Sequence, residues 1–260
     1  MSRVSMGTMT VQVVCLVIFV CRLFFNSGIQ PYIDFEAYTL LAFIGRAEFA
    51  ASRKEYERRL TIPLLLPYSV SLLANLNLFF VHPDGVNVIW LMPIQPLGKE
   101  NHKGTFGSPY SIQDYTAVNP DFGTKKDFKN LVDSIHAKGM YIVIDEVANH
   151  TAWDISWMKD YPDWFTHDSV TKKIIPPVKD WSDVADLNFD NVDLRKEMIQ
   201  DMKYWVDSFN IDGYRCDAAA MVPNDFWKEC ISILRQQRPL LMLAESDDPK
   251  MYDNGFDMTY

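Results

Sequence analysis

The stretch Ile211-Asp212-Gly213-Tyr214-Arg215-Cys216-Asp217-Ala218-Ala219-Ala220 reads as a short buried strand, yet it carries an arginine and an aspartate two residues apart. Side chains alternate along a strand, so Arg215 and Asp217 share one face while Tyr214 and Cys216 take the other. A fixed guanidinium beside a carboxyl favours its ionised form, and Asp217 is therefore expected as a low-pKa, nucleophilic anion. Glu245 ends the next apolar run and is followed by Ser246-Asp247-Asp248, whose negative charge should favour a neutral, proton-donating carboxyl. An ionised and a protonated carboxyl on neighbouring strands make the pair that glycoside hydrolysis needs.

The elements that must carry these residues follow from Gly85 onward, where short apolar runs alternate with helical periodicities, the pattern of a mainly parallel sheet with covering helices. Strands are expected over 86–92, 141–147, 213–218, 240–245 and 256–260. Thr124 opens a capping box ahead of a stripe of Phe128, Leu131, Val132 and Ile135, and Gly139 stops that helix. Leu194, Met198, Met202, Trp205 and Phe209 mark a second helix, and Phe226, Trp227, Cys230 and Leu234 a third. Polar residues gather at the carboxyl ends of the strands: Asp145, Asn149 and His150, then Arg215 and Asp217, then Glu245. In a βα barrel that end is where function sits. A lone strand-end carboxylate often caps the next helix, but capping does not account for three on successive strands with an arginine and a histidine.

Thr151 to Asn188 interrupts this rhythm, a long stretch without strong periodicity that suits a functional excursion. It holds Trp153, Trp157, Trp164, Phe165 and Trp181. Exposed, these aromatics would suit sugar rings; buried, they would pack a small subdomain. The residues leave both readings open.

On these residues the chain resembles the α-amylase family of glycoside hydrolases, of the bacterial neopullulanase and α-amylase kind. Asp145-Glu146-Val147-Ala148-Asn149-His150, Gly213-Tyr214-Arg215-Cys216-Asp217 and Leu243-Ala244-Glu245 resemble three of its four signature regions. Met92-Pro93-Ile94-Gln95-Pro96, Ser108 to Tyr115, and Ala185-Asp186-Leu187-Asn188 resemble accessory motifs in the family's order. The resemblance implies an α/β fold, part of a (β/α)8 TIM barrel, with a small excursion domain after barrel strand 3. It also implies retaining hydrolysis or transfer at α-glucosidic bonds of starch-like glucans or maltooligosaccharides. By resemblance Asp217 is the nucleophile, Glu245 the general acid/base and Arg215 the group that positions and ionises Asp217. His150 and Tyr110 bind the sugar, Tyr110 by stacking, and Asp145 is a structural partner near Arg215. Asn149 and Asp186 match positions that ligate a structural calcium in many members, with plain hydrogen bonding as the competing role; no organic cofactor is implied. Ala218-Ala219-Ala220 departs from the lysine and histidine that many members carry there, which leaves acceptor-side specificity open.

The family's first strand and helix are not recognisable before Gly85, and no fourth region with a third carboxylate precedes Tyr260. The expected division is 1–84 unassigned, 85–150 barrel, 151–188 excursion and 189–260 barrel, and a barrel short of strands is expected to be inactive or poorly folded alone. Val11 to Phe25 is an apolar run that reads equally as a targeting core or as something else, and Thr61 to Val81 is uncharged but carries Pro63 and Pro67. A targeting core would imply an extracellular or periplasmic destination, with membrane association through that segment. It would also suit a catalytically inactive, membrane-anchored interaction subunit, against which the retained set of strand-end charges argues.

The chain's 260 residues suffice for one large domain, and a net charge of −9 without a cluster of Lys and Arg argues against nucleic acid as a partner. Four scattered cysteines form no disulfide framework.

Overall fold

The computed structural model describes residues 87–105 and 107–260 in full and, before them, the backbone of three strands: β1 (Gln12–Val17), β2 (Leu41–Arg46) and β3 (Thr61–Pro63). These are followed by β4 (Val88–Leu91), helix α1 (Lys125–His136) and β5 (Tyr141–Glu146). Then come β6 (His150–Ala152), the short helix α2 (Trp157–Asp160) and β7 (Val184–Asp186). The chain closes with α3 (Val192–Phe209), β8 (Gly213–Cys216), α4 (Asn224–Leu234), β9 (Leu241–Ala244), α5 (Lys250–Asp253) and β10 (Met258–Thr259).

The main sheet runs in the order β10-β9-β8-β5-β4-β1-β2-β3. Every pair from β10 to β1 is parallel, and β2 and β3 are added antiparallel. The fold class is therefore α/β with a mainly parallel sheet, as the alternation of runs predicts. The strand expected over 86–92 is observed as Val88–Leu91, and the later strands shrink in the same way at their ends.

Residues 1–84 require a correction. The sequence shows no coherent fold there, yet β1 pairs in parallel with β4, Val13 opposite Val88 and Leu16 opposite Leu91. The apolar run Val11 to Phe25 thus contributes Gln12–Val17 to the sheet, and Thr61 to Val81 contributes Thr61–Pro63; the rest of both runs lies outside the described residues. Among the described residues no helix is long and apolar enough to cross a membrane.

Helix α1 begins where the capping box predicts: Asp127 N donates to Thr124 Oγ1 at 3.2 Å, and Thr124 N donates to Asp127 Oδ2 at 2.9 Å. Its apolar stripe of Phe128, Leu131, Val132 and Ile135 is buried on the sheet. Helix α3 is capped by Asn191 Oδ1, which accepts from Asp193 N and Leu194 N, and it stops at Asn210 in the left-handed conformation. Trp205, Phe128 and Phe209 meet between these two helices, and Trp205 Nε1 satisfies Tyr115 O at 2.8 Å. On β8, Tyr214 and Cys216 are buried on the helix side, where Tyr214 Oη donates to Met202 O. Gly213 is obligatory at the start of β8, because a Cβ there would lie 1.9 Å from Leu241 O of β9. Cys216 and Cys230 are both buried free thiols.

Candidate active site

The carboxyl ends of β5, β8 and β9 bring the opening residues together. Asp145 on β5 stands opposite Arg215 on β8, and Arg215 stands opposite Leu243 on β9, two residues before Glu245. The Arg215 guanidinium binds three carboxylates at once. Its Nη1 donates to Asp217 Oδ1 at 2.9 Å and to Asp145 Oδ1 at 3.2 Å, and its Nη2 lies 2.8 Å from Glu245 Oε2. Its remaining side-chain donor, Nε, binds Tyr260 Oη at 2.9 Å. Three rings enclose the guanidinium, with centroids at 5.2 Å for Trp90, 5.9 Å for Tyr110 and 5.8 Å for Tyr260. Planarity and five donors suit arginine to this position; an ammonium could not face so many partners.

The electrostatics differ from the sequence expectation. Asp217 is expected to be held low by Arg215, but burial outweighs the guanidinium, and with the Glu245 charge it pushes Asp217 up to about 6. Burial likewise pushes Asp145 up to about 7, against the pull of Arg215 and of Trp90 Nε1, which donates to Asp145 Oδ1 at 3.0 Å. Arg215 itself is driven further into its charged form: burial opposes the charge, and Asp145, Tyr260 and Asp217 override it. Glu245 Oε2 lies 2.8 Å from Arg215 Nη2 and accepts Ala218 N–H at 3.0 Å, while its side chain stays 43% exposed. Ala218 holds the left-handed conformation, φ 44°, that aims this N–H at Glu245.

His150 does not end β5. It opens β6, paired antiparallel with β7 so that His150 faces Asp186, and Asn149 lies in the turn between. Its ring is 3% exposed, and burial lowers its pKa to about 4 against the charge of Asp183. Asn149 Nδ2 lies 3.1 Å from His150 Nδ1, and an amide nitrogen can only donate. With the amide in that orientation the neutral ring carries its proton on Nε2. Tyr110 is partly buried beside Arg215, and burial with the Asp145 charge raises its phenol pKa.

Asn149 and Asp186 are neighbours, since Leu187 N donates to Asn149 O at 3.2 Å and Asp186 pairs with His150. Burial raises the Asp186 pKa, so a cation beside it would offset a real cost. Two side-chain oxygens fit part of the six- to eight-oxygen shell that calcium takes. Among the described residues no group of three or more His, Cys, Asp or Glu gathers to hold a metal.

The aromatics of 151–188 divide between the two readings. Trp157, Trp164 and Phe165 are buried, with Tyr115 stacked on Trp157 and Tyr161 on Trp164, so they pack the segment's own core. Trp181 remains 37% exposed, its ring centroid 5.5 Å from that of His150 and inclined to it by 62°.

Sequence reasoning did not find Trp90 and Tyr260 as partners of the Arg215 cluster. The signal was present in Trp90, which lies near the end of its strand, as Asp145, Arg215 and Glu245 do on theirs. It also did not find a second acidic pair. Glu146 and Asp201 are buried on the helix side of β5, each with one carboxyl oxygen lacking a hydrogen-bond partner. Burial first, then their mutual charge and that of Asp145, raises Glu146; burial, with Glu197 and Asp114, pushes Asp201 up to about 8.

The chain is similar to known proteins in sequence and in fold. Residues 77–251 match the family model described as the catalytic domain of alpha amylase. Alpha-amylase 3 of Dictyoglomus thermophilum is 31% identical over 196 residues, covering 66% of this chain and 37% of that protein. An alpha-1,4-glucan:maltose-1-phosphate maltosyltransferase of Picrophilus torridus is 29% identical over 268 residues, 91% of this chain and 41% of its own length. The crystal structure of a maltogenic alpha-amylase, AmyB of Thermotoga neapolitana, superposes with a TM-score of 0.69 at 41% identity, over 74% of this chain and 46% of that one. The chain spans less than half the length of each of these. With a family model matching well over half of its residues, the chain belongs to the alpha-amylase family, in its catalytic domain.

Proposed function

We propose that this chain forms part of the catalytic (β/α)8 barrel of a retaining glycoside hydrolase acting on α-glucosidic bonds of starch-like glucans or maltooligosaccharides. The observation that carries the reading is the sharing of one guanidinium by Asp217 and Glu245, at 2.9 and 2.8 Å from its two terminal nitrogens. The two carboxyls also lie within hydrogen-bonding reach of each other, closer than the 6.5–9.5 Å of an inverting pair, and the arrangement suits the separation of about 5 Å used in retention. Asp217 would attack the anomeric carbon as the C–O bond breaks, forming a covalent glycosyl-enzyme, while Glu245 gives its proton to the departing oxygen. Glu245 would then take a proton from the water that attacks the same carbon and releases Asp217.

Arg215 holds Asp217 in line, and Asp145 braces Arg215 from the opposite strand. To act as an acid Glu245 must leave Arg215, which its half-exposed side chain permits. His150 would donate from Nε2 to a sugar hydroxyl, and Tyr110 would stack on the ring. Residues 151–188 would be the excursion domain that forms one wall of the site. At its edge Asn149, with Asp186 inside it, would lend oxygens to a structural calcium, which would add only rigidity to that wall.

The test is trapping. Incubation of the protein with an activated fluoro-glucoside should add one sugar to Asp217, read by mass spectrometry of the peptides, and the Asp217→Asn variant should stay unlabelled. Labelling elsewhere, or none alongside clear glucan turnover, would overturn the assignment.

A further inference from the structure

We infer that Trp181 is a sugar-stacking platform that binds an α-glucan ring next to the one held at the Arg215 cluster. The inference rests on the reading above and adds the group that sets how tightly a chain of more than one glucose is held. Of the aromatics in 151–188 that the sequence marks as possible sugar contacts, Trp157, Trp164 and Phe165 are used up in packing. Trp153 is half-buried against the core and spends its indole N–H on Ser182 O, at 3.0 Å. Trp181 alone among them is exposed, although a side chain of its size gains most from burial.

Its position is fixed from several sides. Val184 N donates to Trp181 O at 3.2 Å and Trp181 N to Val178 O at 2.8 Å, which ties the turn to itself. Trp153 pins Ser182, and Lys103 crosses from another loop to pair with Asp183 at 3.2 Å and to donate to Asp180 O. The indole and the His150 ring meet at an angle of 62° with centroids 5.5 Å apart, so the platform adjoins the residue proposed to hydrogen-bond the sugar at the cleaved bond. A glucose ring presents a C–H face that is apolar, and a rigid aromatic held beforehand in its binding position binds it without an ordering cost. Lys103 acts as a positioning residue, since its ion pair holds the turn but its ammonium is turned away into Asp183 and Asp180.

The experiment compares wild type with Trp181→Ala, Trp181→Phe and Lys103→Ala on maltooligosaccharides of increasing length, by steady-state kinetics, thermal melting and tryptophan fluorescence. Trp181→Ala should raise KM roughly 3- to 10-fold, more than it lowers kcat, and the penalty should grow from maltose to longer substrates. It should also abolish the sugar-induced change in fluorescence. Trp181→Phe should recover most of the affinity, and Lys103→Ala should show a smaller rise in KM. Unchanged KM with the fluorescence change retained would overturn the proposal. So would a fall in kcat and melting temperature with no change in KM, the mark of a structural tryptophan. If Asp217 is trapped by the fluoro-glucoside in wild type and in Trp181→Ala alike, the catalytic reading stands whatever the fate of the platform. If wild type shows a cooperative melt yet neither labels nor responds to any α-glucan, both readings fail together.

Discussion

Asp145 stands directly across the β5–β8 ladder from Arg215 and accepts from its Nη1 at 3.2 Å. The same Asp145 oxygen also accepts from Trp90 Nε1, so a residue of β4 fixes a residue of β5, which fixes the arginine of β8. Asp145→Asn keeps the shape but removes the charge that braces the guanidinium. Arg215→Lys keeps a charge but loses the fork. The arginine variant should lower kcat/KM by about 10²–10³-fold, with the asparagine variant in between, measured on a maltooligosaccharide beside a melting curve to show that the fold persists.

The two raised carboxyls set a pH dependence whose sign follows from their roles. Asp217 works as an anion and its pKa is pushed up to about 6, so kcat/KM holds above that pH and falls as Asp217 is protonated below it. Asp145, pushed up to about 7, loses its hold on Arg215 in the same acid range. The acid limb of a log(kcat/KM) profile should therefore begin near pH 7 and steepen below pH 6 toward a slope of two. In Asp145→Asn it should return to a slope of one.

Stability should move with pH for a different reason. Glu146 and Asp201 have folded-state pKa values above their unfolded ones, so the folded chain holds more protons between those values. Their contribution is fully present below the unfolded carboxyl range and is lost as pH rises toward about 8, where Asp201 ionises. Asp201→Asn should flatten the decline of melting temperature between pH 5 and pH 8 and raise the value at pH 8 by roughly 2–6 °C. A steeper decline in the variant would exclude this account.

Gly213→Ala tests the approach of β8 to β9. The added methyl would lie 1.9 Å from Leu241 O, which neither strand can relieve without parting the ladder that aligns Arg215 with Leu243. The substitution should cost about 3 kcal/mol or more, read by chemical denaturation or as a loss of soluble protein.

What the sequence made legible was local. The capping box at Thr124, the stripe on α1 and the alternation that sets Arg215 and Asp217 on one face of β8 depend on neighbours a few residues apart, and the structure keeps them. What it did not make legible depends on distance. β1 meets β4 across more than 70 positions, with no periodicity to announce the pairing. The direction of the Asp217 shift depends on how completely the site is buried, which one strand's pattern cannot report. Glu146 was within reach: alternation on β5 sends it to the face opposite Asp145, among Tyr214 and Cys216, where a carboxyl has no solvent to meet. The five aromatics of 151–188 divide only once their partners are known.

The Arg215 cluster sets three carboxylates against one guanidinium. With its carboxylates ionised the cluster is short of positive charge, and in that state it is a better host for a cation than for a neutral ring. A sugar whose ring gathers positive charge as its glycosidic bond breaks arrives with the charge that is lacking. An amine-bearing sugar mimic should therefore bind this pocket more tightly than its neutral counterpart, and lose that advantage as acid fills the carboxylates with protons.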